Sequence, residues 1–325
     1  MPEIFLTIFF ISVLLFFLGS GIWVALSMIG VSAIGMILFT SRPVGDAMAT
    51  TIWGTASSWT LTALPLFVWM GEILFRTKLS ENLFKGLSPW MQKLPGGLIH
   101  VNVVGCALFA AISGSSAATV ATVGKMSIPE LRKRNYPEKI LLGSLAGSGT
   151  LGLLIPPSII LIIYGVAVQE SIAKLFIAGI IPGIMIALIF MSYVVIWSLI
   201  NKKEMPQILE EYSFFEKIKR SKQLLPVILL ITSVIGSIYT GVATATEAAS
   251  LGVVGALILS YFQSSLTLET FKSSLLGATK TSCMIAFILA GSTFLSLAMG
   301  FTGLPRNLAV WIQNMNLSPY LLILV

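Results

Sequence analysis

Two short apolar stretches, residues 98–112 and 117–130, flank the sequence Ser113-Gly114-Ser115-Ser116. Each stretch is short for a crossing of a hydrocarbon core about 30 Å thick. The four residues between them offer hydroxyl groups and backbone carbonyls rather than apolar surface. Irregular backbone at membrane depth is tolerated only where protein or a water-filled cavity covers it. The segment therefore predicts a re-entrant helical hairpin whose polar tip stops in the middle of a membrane.

The composition of the whole chain explains why a membrane is the expected surrounding. Of the 325 residues, 56% are apolar and 10% are charged, whereas a soluble domain has about 25% charged residues. The apolar residues are spread along the chain, which excludes a disordered protein and a soluble enzyme held by one span. We therefore expect an all-α polytopic membrane protein.

The sequence contains few of the residues that metal sites and thiol chemistry require. His100 is its single histidine, and its two cysteines, Cys106 and Cys283, lie far apart in apolar stretches. Zinc sites and catalytic triads need several such residues at suitable spacing. We expect both cysteines to be small buried residues.

Apolar stretches long enough to cross a membrane are the next feature. The N-terminus lacks the positively charged leader of a cleaved signal, so residues 4–18 are expected to remain as a span. Two amphipathic pieces, 77–95 and 265–279, should lie along the interface, and the charged run 202–222 should be a solvated connector. The expected spans lie at roughly residues 3–19, 21–39, 60–76, 140–166, 172–200, 223–240, 247–264 and 281–299.

The basic residues predict the orientation. If each long stretch crosses once and the hairpin returns to its own side, 17 of the 20 basic residues fall on one side. Only Arg42, Lys174 and Arg306 fall on the other. Since Lys and Arg in short loops are retained in the cytoplasm, the crowded side is predicted to be cytoplasmic and the N-terminus external. Loops that face an anionic leaflet then explain the net charge of +7 without nucleic acid.

The order of elements suggests an inverted repeat. Leu61–Arg76 runs inward and precedes an amphipathic arm and the hairpin, whereas Thr281–Met299 runs outward and precedes a second amphipathic piece that starts at Leu304. Inverted repeats with broken helices are typical of secondary transporters. Because the sequence stops at Val325, inside the expected second hairpin, we expect the second repeat to be truncated.

Two polar groups are candidate sites. At the hairpin tip, hydroxyls and freed carbonyls can replace water around a hard cation, although small residues also serve helix packing in membranes. In the following span, Gly147–Thr150 precedes Pro156-Pro157-Ser158. A proline pair must break the helix, and the break either faces the hairpin or is a simple kink.

Two acidic residues have simpler interpretations. Glu247 follows Thr244 at the start of a span, where an acidic side chain complements a helix N-terminus. Glu72 lies at depth and is a functional candidate by default. Arg76 follows it by one helical turn, so an intrahelical ion pair is at least as good an explanation.

Several long motifs in order give the chain a family resemblance over nearly its whole length. It resembles the large membrane subunit, of the DctM type, of TRAP transporters, the tripartite ATP-independent periplasmic systems. One departure is Ala245, where the family usually carries proline. The matching motifs are Leu94–Leu98, Val101–Val103, Ala110–Val120, Gly149–Ser158, Tyr164-Gly165, Ala178–Gly183 and Thr246–Ala249.

The resemblance implies a function that the residues alone do not reach. It implies a sodium-driven importer of organic acid anions, such as C4-dicarboxylates or sialic acid, in a bacterial inner membrane and with an elevator mechanism. A small four-helix membrane subunit and a periplasmic substrate-binding protein would be its partners, and Na⁺ rather than an organic cofactor would be required.

The residues and the resemblance together predict the site and the domains. Sodium ligands are expected from backbone and hydroxyl oxygens of Ser113, Gly114, Ser115, Ser148, Gly149 and Thr150. Solute contacts are expected from Ser115, Ser116, Pro157 and Ser158. The predicted domains are N-terminal scaffold helices (1–60), a scaffold span and interfacial arm (61–95), the first half of the transport domain (96–171), scaffold helices with a cytoplasmic connector at 201–222 (172–280), and the start of the second repeat (281–325).

Three other functions are alternatives to this one. A standalone ion-coupled anion carrier would share the inverted-repeat plan and dispense with the binding protein. A channel needs a continuous polar lining, whereas polarity here is concentrated at one tip and one break. A membrane enzyme is disfavoured, because the sequence has no nucleophile motif and no paired carboxylates in a pocket.

Overall fold

The computed structural model describes residues 3–76, 79–206, 212–222, 224–315, 318 and 321, and within these residues the regular structure is entirely helical. This confirms the all-α polytopic class. The α-helices of the described chain are α1 (Glu3–Gly19), α2 (Val24–Phe39), α3 (Val44–Ala56), α4 (Ala63–Phe75), α5 (Leu79–Met91), α6 (Ile99–Ser113), α7 (Ser116–Lys133), α8 (Glu138–Gly149), α9 (Ile159–Val168), α10 (Ile172–Ile200), α11 (Phe214–Ser221), α12 (Leu225–Tyr239), α13 (Ala245–Phe262), α14 (Leu268–Phe301) and α15 (Leu304–Asn314).

Apolar helices of membrane-crossing length are present, but they are fewer than the predicted spans. Within the described residues α10, α13 and α14 are long and apolar enough to cross alone. Two further helix pairs, α3 with α4 and α11 with α12, pass the same test only when each pair is taken together. α1 and α2 have 17 and 16 residues, so each rises about 25 Å and is shorter than a typical bilayer core.

The chain divides into two compact units, Met1–Ser58 with Cys283–Val325 and Trp59–Ser282. In the first unit, α1 packs on α2 because glycines admit aromatic rings: Phe10 lies against Gly35, and Phe17 lies against Gly30. Phe294 of α14 is fully buried beside Met36 of α2. Helix α3 buries none of its residues.

The second unit contains the predicted hairpin. α6 and α7 pack together, and α8 packs against both, so these three helices form one bundle. α4 packs on α6 and more extensively on α13. The predicted long stretch 140–166 is broken: α8 ends at Gly149, and α9 begins only at Ile159. The helix therefore ends well before the proline pair, through a 3-10 turn at Thr150–Leu153.

The prediction of a separate interfacial piece at 265–279 is wrong. α14 runs without interruption from Leu268 to Phe301, through the predicted boundary between residues 280 and 281. The segment 268–301 contains no proline, so nothing removes a backbone donor or forces a kink there. At 1.5 Å per residue its 34 residues rise about 51 Å, which exceeds a bilayer core.

Three further expectations need correction or lie outside the described residues. The connector is not irregular throughout: residues 214–221 form helix α11, which packs on α5 and buries none of its residues. Cys106 is buried as expected, but Cys283 is exposed. Residues 316–317, 319–320 and 322–325, where the second hairpin would begin, are outside the described residues.

Candidate ion and solute site

The hairpin tip is a tight reversal with its own hydrogen bonds. α6 ends at Ser113 and α7 begins at Ser116, so Gly114 and Ser115 make the whole turn. Gly114 has φ +57°, a left-handed conformation that glycine adopts without steric cost. The Ser113 hydroxyl lies 2.9 Å from that of Thr119 and accepts a hydrogen bond from the Ser115 N–H. The Ser115 side chain caps α7, and the tip is therefore preorganised.

The break in the following span ends at Ser158, whose side chain bonds backward into the break and does not cap α9. Beyond the turn at Thr150–Leu153 the chain is irregular until α9 begins at Ile159. Ser158, at the N-cap position, is fully buried and donates its hydroxyl to the Leu153 carbonyl at 2.6 Å. The hydroxyl of this predicted solute residue therefore ties the break together.

The tip and the break meet through their backbones. The Ile159 N–H donates to the Gly114 carbonyl at 3.2 Å. A Cβ built on Gly152 would lie 2.8 Å from the Ser116 amide nitrogen, and one built on Gly114 would lie 2.7 Å from the Pro157 carbonyl oxygen. No side chain fits at either glycine. The structure thus brings the Ser113–Ser116 tip and the Pro157-Ser158 pair together, as the predicted site requires.

Four helix ends converge at this contact. α6 ends at Ser113 and α8 ends at Gly149, while α7 begins at Ser116 and α9 begins at Ile159. Helix C-termini carry partial negative charge on free carbonyls, and helix N-termini carry partial positive charge on free N–H groups. One small region therefore presents groups for a cation and groups for an anion.

Two further glycines hold the junction, and the predicted site did not include them. A Cβ on Gly71 of α4 would lie 3.0 Å from the Ser113 Cα, so α4 touches the tip directly. A Cβ on Gly179 of α10 would lie 2.7 Å from the Leu154 carbonyl oxygen in the break. Gly179 could have been predicted from the sequence, because it belongs to the family-like motif Ala178–Gly183. For Gly71 the sequence indicated only that it lies in a span.

Ser148 uses its hydroxyl elsewhere. It donates to the Ser144 carbonyl at 2.6 Å and lies 3.4 Å from the Asn102 carbonyl of α6. The Asn102 amide in turn donates to Ser144 Oγ at 3.0 Å and to the Leu141 carbonyl at 3.2 Å. We call Asn102, Ser144 and Ser148 the α6–α8 seam. Asn102 is three helical turns before the tip, so the Ser148 hydroxyl is not brought to it.

The two residues after Ser148 lie nearer the junction. Gly149 packs against Val120 in the second turn of α7. Thr150 is exposed and donates its hydroxyl to the Gly147 carbonyl at 2.7 Å. Both residues therefore offer carbonyls or a hydroxyl close to the end of α8.

One hydroxyl at the tip is unsatisfied. Ser116 Oγ is buried and has no hydrogen-bond partner in the described part of the chain. A buried hydroxyl without a partner costs free energy. It lies in the first turn of α7, where the helix N–H groups also point outward from the helix end. Asn102 Oδ1 is also without a partner among the described residues, so Ser116 is a candidate ligand because of its place at a helix start.

The opposite end of the hairpin is anchored to the surrounding chain. The Tyr136 hydroxyl accepts a hydrogen bond from the Leu98 N–H at 3.0 Å, and burial raises the pKa of Tyr136. Arg132 and Glu138 pair at 2.6 Å across the turn from α7 to α8. This carboxylate raises the pKa of Arg132. The hairpin is thus held at its base and bounded by backbone contacts at its tip.

The two acidic candidates are structural. Glu72 pairs with Arg76 at 2.8 Å, which confirms the intrahelical ion pair. Glu247 caps α13: its carboxylate accepts from the Thr244 N–H at 2.8 Å, and Thr244 Oγ1 accepts from the Glu247 N–H. Neither carboxylate is used at the junction, which offers neutral oxygens only.

Comparison with known proteins finds a family of membrane transporters. Residues 9–325 match the family model described as the tripartite ATP-independent periplasmic transporter, DctM component. The chain is 34% identical to a C4-dicarboxylate TRAP transporter large permease protein of Pseudomonas aeruginosa over 91% of this chain and 69% of that protein. It is 32% identical to a sialic acid TRAP transporter large permease protein of Vibrio cholerae over 95% and 71%. It is also 32% identical to a 2,3-diketo-L-gulonate TRAP transporter large permease protein of Escherichia coli over 86% and 65%.

Proposed function

The chain belongs to the DctM component family of tripartite ATP-independent periplasmic transporters, and on that premise we propose that it carries an organic acid anion across the membrane together with sodium ions. The similar permeases are named for C4-dicarboxylates, sialic acid and 2,3-diketo-L-gulonate. We expect a solute of the same chemical class, a small acid with at least one carboxylate.

The observation that supports this proposal is the convergence of two helix ends and two helix starts where Gly114 meets Ile159. In secondary transporters, broken helices use half-helix N-termini for anionic groups and unwound carbonyls for the coupling cation. Each uncompensated backbone group at membrane depth would cost several kcal/mol. Cation and solute together would remove that cost, which couples their binding.

We assign the sodium ligands to the helix ends. Ser113 and Gly114 contribute from the end of α6 and the turn, and Ser148, Gly149 and Thr150 contribute from the end of α8. Ser148 takes part through its carbonyl, because its hydroxyl belongs to the α6–α8 seam. Ser115 adds the remaining oxygen at the tip. The junction offers no carboxylate, and neutral oxygens suit a weakly charged hard cation such as sodium.

We assign the solute carboxylate to the helix starts. The free N–H groups of α7 and the unsatisfied hydroxyl of Ser116 lie beside Pro157 and Ser158 at the start of α9. Helix N-termini favour anions. Ser115 lies between the two sets and is placed to contact both ions. The second half of the solute site would come from a second hairpin in the inverted repeat.

The partners and the movement follow from the family. A small four-helix membrane subunit would enlarge the scaffold, and a periplasmic binding protein would deliver the solute in a bacterial inner membrane. The bundle α6–α8 with α9 would move as the transport domain of an elevator, past scaffold helices such as α4 and α10.

Uptake into proteoliposomes tests the proposal. The chain is reconstituted with its small subunit, the binding protein carries labelled solute, and uptake is measured with and without an inward sodium gradient. Ser115→Leu should abolish sodium-dependent uptake, since leucine removes a ligand and fills the tip. Ser250→Leu is the matched control, because Ser250 is exposed on α13 and bonds only its own helix. Sodium-independent uptake, or full uptake by Ser115→Leu, would refute the assignment.

The proposed orientation has a separate test. Single cysteines replace Ser41 or Lys133, both exposed, in a chain without Cys106 and Cys283. In intact cells a membrane-impermeant thiol reagent should label position 41 and spare position 133, which becomes reactive once the cytoplasmic side is opened. The reverse pattern would place the N-terminus in the cytoplasm.

A further inference from the structure

The helix in the connector, α11, is amphipathic and presents three distinct faces. It comprises Phe214–Ser221 and starts with a capping box in which Ser213 and Glu216 bond each other's backbone N–H groups. This short helix is therefore well defined at its start. Each of its faces has a different environment.

The first face packs on the arm helix α5. Trp90 of α5 donates its indole N–H to Ser221 Oγ at 2.7 Å. The Lys217 ammonium lies 5.5 Å from the centre of the Trp90 ring, and the Phe214 ring meets that ring edge-on at 6.2 Å. Polar, cation–π and aromatic contacts thus converge on one tryptophan. They join α11 to the arm.

The second face lines a polar cavity. Tyr212, Glu216 and Arg220 face a space of about 530 Å³, together with Glu130 of α7 and Ser88 of α5. Arg220 donates to the Tyr212 hydroxyl at 3.1 Å and stacks over that ring at 4.2 Å. This face is occupied by charges that contact one another.

The third face is apolar and uncovered. Phe215 is 80% exposed, and Ile218 is 41% exposed. Lys219 and Lys222 flank them and are also exposed. An aromatic side chain between two lysines is typical of a helix that lies in the membrane interface.

The position of α11 puts this face at a membrane surface. α11 ends at Ser221, and the apolar helix α12 begins at Leu225 after a bend of 58°. The four Cα–Cα steps from Ser221 to Leu225 span at most about 14 Å. In a polytopic membrane protein, α11 must therefore lie within that distance of the point where α12 enters the bilayer.

From these observations we propose that α11 binds anionic phospholipids. Phe215 and Ile218 enter the headgroup boundary, and Lys219 and Lys222 contact lipid phosphates. The charges favour lipid over a protein occupant: α11 and the residue after it carry Lys217, Lys219, Arg220 and Lys222 against the single acid Glu216, which is used in the cap. Because Trp90 ties α11 to α5, bound lipid fixes the arm at the membrane surface, next to the base of the hairpin.

Depth measurement tests the binding without any transport assay. A nitroxide spin label is attached to a cysteine in place of Phe215, in the full chain without Cys106 and Cys283, in bilayers with phosphatidylglycerol. The label should be accessible to oxygen and shielded from a water-soluble nickel chelate. A label at Lys203, exposed on the same connector, should show the opposite. Equal access of the chelate to both positions would overturn the proposal. It would also be overturned if the label at position 215 became shielded from both oxygen and the chelate when the small subunit is added, because a protein would then cover this face.

A second experiment tests the consequence and rests on the proposed function. Uptake by the parent complex should rise several-fold when phosphatidylglycerol is added to vesicles of phosphatidylcholine. Lys219→Gln with Lys222→Gln should remove that dependence, whereas Lys202→Gln with Lys203→Gln, which removes the same charge, should keep it. An unchanged lipid dependence in the first double variant would overturn the proposal. Absence of uptake in every lipid would instead refute the transport function, and the depth result would stand.

Discussion

The tip–break junction and the α6–α8 seam are built from the same residue types and do different things. In the seam, Asn102, Ser144 and Ser148 bond helical carbonyls and one another at 2.6–3.4 Å; α6 continues for three turns beyond Asn102, and α8 ends one residue after Ser148. At the junction, helices end, Gly152 and Gly114 allow backbones to touch, and Ser116 Oγ has no partner among the described residues.

This difference gives a criterion, the position of the serine in its helix, that distinguishes serines that serve packing from serines that could bind a ligand. A serine in a helix can bond the carbonyl one turn earlier, as Ser148 bonds that of Ser144, and its hydroxyl is then already occupied. A serine at a helix end adjoins backbone groups that lack helical partners. The same side chain is therefore structural in the seam and a proposed ligand at the junction.

The largest effect is expected from a bulky substitution at Gly152, which tests whether the close contact at the junction is needed for transport. Gly152→Leu should push the tip away from the break by more than 1 Å and reduce sodium-dependent uptake at least about 10-fold, since displacement of binding groups by this much costs more than 1.4 kcal/mol. Gly143→Leu is the matched control, because a Cβ at Gly143 meets no atom within 4 Å. Assembly with the small subunit is measured by co-purification. Equal uptake by the two variants would show that the contact is not part of the site.

Ser116→Ala should separate function from stability. Without ligand, removal of an unsatisfied buried hydroxyl should leave the thermal unfolding temperature unchanged or raise the free energy of unfolding by about 1 kcal/mol. The apparent affinity for the solute should fall by about 10-fold, because a hydrogen bond to a charged group contributes about 1.5–3 kcal/mol. Both quantities are measured on one preparation. A destabilised variant with unchanged affinity would make Ser116 a packing residue.

Asn102→Ala should show the reverse pattern in the seam. It leaves Ser144 and the Leu141 carbonyl without the amide donor, so the free energy of unfolding should fall by about 1–3 kcal/mol. Thermal unfolding in detergent measures the loss. The sodium concentration for half-maximal uptake should stay at the parent value in the folded fraction, and a shift in it would extend the ion site into the seam.

Ser148→Ala should have the smallest effect of these variants. It tests most directly whether the hydroxyl or the carbonyl of Ser148 is the sodium ligand. The hydroxyl bonds its own helix, so the loss of stability should be below about 1 kcal/mol. Sodium dependence should not change, because only the Ser148 carbonyl is assigned to the ion. Thr150→Val, made in parallel, should weaken sodium dependence. If Ser148→Ala alone weakens it, the hydroxyl rather than the carbonyl is the ligand.

Patterns local in sequence predicted much of the fold. The hairpin, the broken span, the Glu72–Arg76 pair and the Thr244–Glu247 cap all follow from spacing within a few residues, and all are observed. The errors occurred where local signals conflict. Helix α14 continues through a polar stretch that resembled an interfacial piece, and α11 forms in a charged run because its cap and Trp90 favour a helix.

The candidate site was predicted in part. Ser113–Ser116 and Pro157-Ser158 are together, as expected: a glycine turn ends α6 at the tip, and α8 ends at Gly149, before the proline pair. The Ser148 hydroxyl bonds its own helix rather than the tip, and the glycines Gly71 and Gly179 were overlooked. Their roles depend on which neighbouring helix they face, and no spacing within one helix encodes that.

By itself, the sequence determined that this chain is an all-helical membrane protein, where its helices break, and which family it resembles. These properties depend on hydropathy, on proline and glycine chemistry and on motifs, all of which act over one or two helical turns. Only the tertiary structure decided that two helix ends and two helix starts share one place, and that the neighbouring serines serve packing. Helix-to-helix contacts are set by the approach of backbones at small residues far apart in the chain, such as Gly152 and Ser116, and that approach is a property of the packed bundle.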